Sequence, residues 1–143
     1  MESTHAAARL IYERCLAGRL RMVARMTTNL YDAALRPLDL RIGQLTLLAM
    51  VSHLGPLTAG ELAQHARIEK STASRDIARL LAAGWLASDP GDDRRERLLR
   101  LTPAGREVLE RAIPLWDRAQ AELERLIGEA GLQAVHQLVG SLP

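Results

Sequence analysis

The stretch Thr58–Thr102 reads TAGELAQHARIEKSTASRDIARLLAAGWLASDPGDDRRERLLRLT, and its punctuation decides the fold. Thr58 followed three residues later by Glu61 is a capping box: the Thr hydroxyl accepts the Glu61 N–H and the Glu carboxylate returns to the Thr N–H. The short helix it opens turns Leu62, Ala63 and Ala66 inward and ends near Ala66. A second helix runs from about Lys70 to Ala83. Ala73, Ile77, Leu80 and Leu81 form its apolar stripe, with Ser71, Thr72, Arg75 and Arg79 on the other side. Gly84 follows as the left-handed residue that closes a helix. Trp85–Ser88 then reads as a strand and Asp89–Asp93 as a turn cluster. Arg97, Leu99 and Leu101 alternate with Glu96, Leu98 and Arg100, so a second strand pairs back as a hairpin.

Outside this block the chain is helical. From about His5 to Leu35 there is no Pro, and Gly18 is the only Gly. Ile11, Cys15, Met22 and Met26 form one apolar stripe, and Leu16, Leu20, Val23 and Leu30 a second flank. An apolar surface this wide on one helix requires burial on more than one side. Pro37 ends that helix. A second helix runs from about Arg41 to His53, with Leu45, Leu48 and Ala49 inward, and Gly55-Pro56 turns the chain. Beyond the hairpin, Thr102 as N-cap and Pro103 at the first helical position start a helix that runs to about Ile127. Pro114 is expected to bend it. Gly128 separates a last short helix carrying Leu132, Val135, Leu138 and Val139. The predicted fold is mainly α with a small β-hairpin, in a single domain over residues 1–143.

Composition narrows the chemistry. A net charge of +2 excludes a polybasic coat, and 3% aromatic residues with no Phe exclude a stacking platform for single strands. One cysteine, Cys15, makes no intrachain disulfide, which predicts a reducing cytosol. No signal peptide is read in Met1–Arg9 and no membrane span in the longest apolar run, Leu47–Val51. His5, His53, His65 and His136 have no metal-ligand spacing. No paired carboxylates, Cys/His dyad or phosphate loop stand in a catalytic setting, so no enzyme, metal or cofactor is expected.

A short capped helix, a tight turn, a second helix and a hairpin make a winged helix-turn-helix. The second helix fits the major groove of a duplex, and its N-terminus favours phosphate. A guanidinium on a protruding hairpin tip fits a narrow minor groove. Lys70, Ser71, Thr72, Ser74, Arg75 and Arg79 on the helix, and Arg94 and Arg95 at the tip, are therefore the expected DNA contacts. From Arg67 to Arg100 eight Lys/Arg face six Asp/Glu, whereas from Leu101 onward four face six, so the positive excess lies in this unit and in the first helix, while the last helices are acidic. Asp92 and Asp93 would repel phosphate, and an ion pair that aims an arginine is the expected reason for them.

These motifs carry a resemblance. Asp93-x-Arg95 followed by Leu99-x-Leu101-Thr102-x-x-Gly105 resembles the wing signature of the MarR family of bacterial transcription regulators. Gly55-Pro56-Leu57-Thr58, Glu61-Leu62-Ala63, and Ser71-Thr72-Ala73-Ser74-Arg75 through Leu80 to Gly84 resemble its helix-turn-helix, in order. Glu69 departs from the usual Asp or Ser N-cap, and Ala73 from the usual β-branched residue. The resemblance implies an obligate homodimer, with dimerisation helices at 1–36 and 103–143 around a DNA-binding part at 41–102. It implies a pseudo-palindromic duplex operator and repression relieved by a small molecule, aromatic or phenolic in class, or by an oxidant. Ser71, Thr72 and Arg75 would read the major groove, Arg95 the minor groove, and Asp93 would orient Arg95. Two further readings stay open. Cys15 is either a core residue of its stripe or a peroxide-sensing thiolate favoured by Arg14 and Arg19. The winged helix could also serve protein contacts only, in which case binding to DNA would lack a steep salt dependence.

Overall fold

A computed structural model describes residues 1–143, apart from the side chain of Glu2. The helices are α1 (Glu2–Arg14), α2 (Leu16–Leu35), α3 (Ile42–Leu54), α4 (Ala59–Ala66), α5 (Lys70–Ala82) and α6 (Pro103–Ser141). The strands are β1 (Leu57–Thr58), β2 (Leu86–Pro90) and β3 (Arg97–Leu101). The sheet order is β1-β3-β2, antiparallel throughout, with Leu57 opposite Leu99 and Leu86 opposite Leu101.

The boundaries follow from local chemistry. The capping box forms as expected: Glu61 N–H donates to Thr58 Oγ1 at 3.2 Å and Thr58 N–H to Glu61 Oε2 at 2.8 Å. Gly84 takes φ 75, its N–H donates to Leu81 O and that of Trp85 to Leu80 O, each at 3.0 Å. That two-bond closure of a helix needs a left-handed residue, and Gly supplies it without a Cβ clash. Thr102 Oγ1 accepts the Gly105 N–H at 3.0 Å and so caps α6. A Cβ on Gly105 would lie 2.1 Å from Trp85 O, so only Gly lets α6 start against the end of the hairpin.

Four details differ from the sequence reading. The first helix is two, because Cys15 is extended (φ -69, ψ 106) and separates α1 from α2. Leu57-Thr58 adds a third strand, too short to show as alternation. β2 continues through Asp89 and Pro90, which pair with Leu98 and Arg97. In α6 the backbone stays helical at Pro114 and departs at Gly128 (φ 68, ψ 179) instead.

The core lies in the block from Leu35 to Ala112. Leu35, Leu47, Leu48, Leu62 and Leu80 are its largest fully buried side chains. α1, most of α2 and the distal part of α6 stand out from it as a stalk. There Ile11 (65% exposed), Leu16 (71%), Met26 (64%), Leu126 (58%) and Val139 (70%) face solvent in the single chain. Among the described residues no helix is long and apolar enough to cross a membrane.

Candidate nucleic-acid interface

The presented face of α5 is set by helical spacing. Ala73, Ile77 and Leu80 are buried against the core, which turns Ser71, Ser74, Arg75 and Ala78 to solvent as one i, i+3, i+4, i+7 face. Lys70 is exposed at the first position and Thr72 is half-buried at the edge of that face. Glu69 supplies no side-chain cap to α5. The first-turn N–H groups therefore keep their capacity for an anion, at the positive end of the helix dipole. Arg67, with φ 52, makes the turn that separates α4 from α5, and the Ile68 N–H closes α4 on Ala63 O at 3.1 Å.

Arg79, one turn beyond Arg75, is also exposed. Its guanidinium is 3.7 Å from Asp76 Oδ1, on the flank of α5. There it lines a cleft of about 840 Å³ with Asn29, Asp32, Arg36, Arg41, Gln44 and Trp85. The cleft lies at the junction of α2, α3 and α5. A separate apolar pocket of about 280 Å³ lies between α3 and α6, lined by Ile42, Leu45, Thr46, Ala49, Leu109, Ile113 and Trp116.

The wing tip is built by its backbone. Asp93 Oδ1 accepts the Arg95 N–H at 3.1 Å, and Asp93 O accepts the Glu96 N–H at 2.9 Å. The Gly91 N–H donates to Glu96 O at 3.0 Å. The expected ion pair between Asp92 or Asp93 and a tip guanidinium does not form among the described residues. The physical reason is proximity: an Asp side chain reaches the N–H two residues on more readily than a long flexible guanidinium. Asp93 thus acts on Arg95 through the chain, and Arg94 and Arg95 are exposed.

The sequence reading missed the braces of the wing. Arg97 Nε donates to Ser88 Oγ at 3.1 Å and its Nη2 to Ser88 O at 2.8 Å. Arg100 pairs with Asp89 across the strands. Both are diagonal neighbours in an antiparallel ladder.

Two side chains of α2 tie the stalk down. The Tyr31 hydroxyl donates to Gln120 Oε1 of α6. Burial raises the Tyr31 pKa, and the nearby Glu124 carboxylate adds to the rise. Cys15 is half-buried at the α1–α2 break, and the Arg19 guanidinium is turned to the Glu13 carbonyl at 2.5 Å. Its expected stripe partners Ile11, Met22 and Met26 are more than half exposed in the single chain.

Comparison with known proteins agrees with this geometry. The sequence profile of the MarR family matches residues 38–96. The HTH-type transcriptional regulator YwoH of Bacillus subtilis is 30% identical over 97 residues, covering 68% of this chain and 71% of that protein. The transcriptional regulator MosR of M. tuberculosis, solved in complex with DNA, is 31% identical with a TM-score of 0.78, covering 87% of this chain and 93% of that one. A MarR variant of E. coli, solved with operator DNA, shares the fold at a TM-score of 0.82 and 23% identity, over 94% of this chain and 98% of that one.

Proposed function

The chain belongs to the MarR family of helix-turn-helix transcription regulators, and from that premise we propose that it is a homodimeric, cytosolic repressor of a pseudo-palindromic duplex operator. Its relatives and fold are those of DNA-binding transcription regulators, not enzymes. The observation that carries the reading is the face of α5. An uncapped N-terminus leads into Ser71, Ser74 and Arg75, all exposed, as insertion into a major groove requires. Lys70 and Thr72 flank that face, and the exposure of Arg94 and Arg95 at the wing tip supports contacts to backbone and minor groove. The complexes of MosR and of E. coli MarR with DNA support the same reading.

The dimer is supported by the exposed apolar residues of α1, α2 and α6, which one chain leaves uncovered. Effector release is supported by the cleft at the α2–α3–α5 junction. Arg36, Arg41 and Arg79 line it with Trp85 and outnumber the carboxylates Asp32 and Asp39 on the same walls, which suits an anionic aromatic molecule such as a phenolate or aromatic carboxylate. A ligand that binds the free dimer better than the DNA-bound one weakens DNA binding by linkage. Sensing by Cys15 has less support, since Arg19 is turned away to a carbonyl.

The test is a titration of a selected operator duplex at several salt concentrations. Affinity is expected to fall steeply with salt through counterion release. A flat slope would favour a winged helix that serves protein contacts.

A further inference from the structure

α3 opens Arg41-Ile42-Gly43-Gln44, with no Ser, Thr, Asp or Asn at its cap. The cap comes from another helix. Asp32, half-buried in the last turn of α2, accepts the Ile42 N–H at Oδ1, 2.7 Å away. Gln44 Oε1 takes the Arg41 N–H at 3.1 Å. A carboxylate on the first N–H of a helix is a charge-assisted hydrogen bond at the positive end of the dipole, strong and directional. It fixes where α3 begins relative to α2.

The neighbouring residue holds the other side of the joint. Tyr31 bonds Gln120 of α6, so consecutive residues of α2 grip the stalk and the reading unit. The grip passes on to α5, because α3 packs against it, with Gly43 facing Asp76. In a dimer joined through the stalk, the distance between the two α5 helices depends on the angle at this joint.

We propose that Asp32 is a positioning residue for operator spacing: it fixes the reading unit on the stalk and so sets the half-site separation that the dimer accepts. The proposal rests on the dimeric, operator-binding reading above. It is tested with duplexes carrying the selected half-site in inverted pairs, at the selected spacing and at one and two base pairs to either side. Affinities are measured for the wild type, Asp32→Ala and Asp32→Asn, together with a duplex carrying a single half-site. Asp32→Ala is expected to lose about tenfold of the spacing preference, the scale of one charge-assisted hydrogen bond, with single half-site affinity unchanged. Asp32→Asn keeps an acceptor oxygen without the charge and is expected to keep a preference between those of the wild type and Asp32→Ala. Should Asp32→Ala not fold, Asp32→Glu moves the oxygens outward by one methylene and is expected to shift or broaden the preferred spacing. A variant lacking the acceptor, or with it moved, that discriminates spacing as the wild type does would overturn the proposal alone. A wild type with no preference for paired half-sites would overturn the dimeric reading and this proposal with it.

Discussion

At the scale of single residues, the wing shows how far a motif can be read. Asp93 and Arg95 were both legible as a pair, yet the bond that joins them runs to the Arg95 N–H, not the guanidinium. Sequence spacing gives proximity but not which donor wins. The structure therefore separates three substitutions. Arg95→Ala removes a contact and is expected to weaken operator binding by about 1–3 kcal/mol in a titration at fixed salt. Asp93→Asn keeps the side-chain acceptor and so should bind nearly as the wild type, whereas Asp93→Ala loosens the tip and should follow Arg95→Ala in direction. Equal binding by all three proteins would remove the wing tip from the interface. Arg79 was placed by pattern on the polar side of α5, and it is there, but on the flank beside Asp76. A stripe drawn from sequence fixes the buried side of a helix and leaves the exposed side undivided.

At the scale of elements, the reading unit was legible because its signals are local. Thr58 and Glu61 close a capping box, Gly84 closes α5, and Thr102 opens α6, each within a few residues in sequence. Thr58→Ala should cost about 1 kcal/mol, read as a lower midpoint of thermal or urea unfolding. The bonds from Thr58, backbone first, hold the Glu61 carboxyl below its ordinary pKa. A carboxyl with a lowered folded pKa adds stability above its unfolded pKa, and that stability is lost as pH falls through the folded value. Glu61→Gln should thus flatten the acid limb of the stability profile; an unchanged acid limb would contradict the capping box. The illegible features were those that depend on distant chain. The extended Cys15 has no Gly or Pro to announce it, β1 is two residues long, and the cap of α3 comes from Asp32, ten residues back.

At the scale of the whole molecule, the apolar surfaces divide into two kinds. The core around Leu48, Leu62 and Leu80 closes on itself, but the stalk leaves Ile11, Leu16, Met26, Leu126 and Val139 open. The wide apolar surface of the first helices, readable from sequence, is thus not spent within the chain. Light scattering should give twice the 15.7 kDa chain mass, and Leu126→Glu should lower it toward one chain. A wild type that remains monomeric at micromolar concentration would contradict the dimer.

The central claim is a dimer that reads two inverted half-sites through α5 and the wing. Selection of duplexes from a random library, followed by the mass of the complex on the enriched sequence, tests it most directly. Two inverted half-sites with centres about 10 base pairs apart, one helical turn, and two chains per duplex are expected. An enriched sequence without inverted symmetry, bound by a single chain, would contradict it.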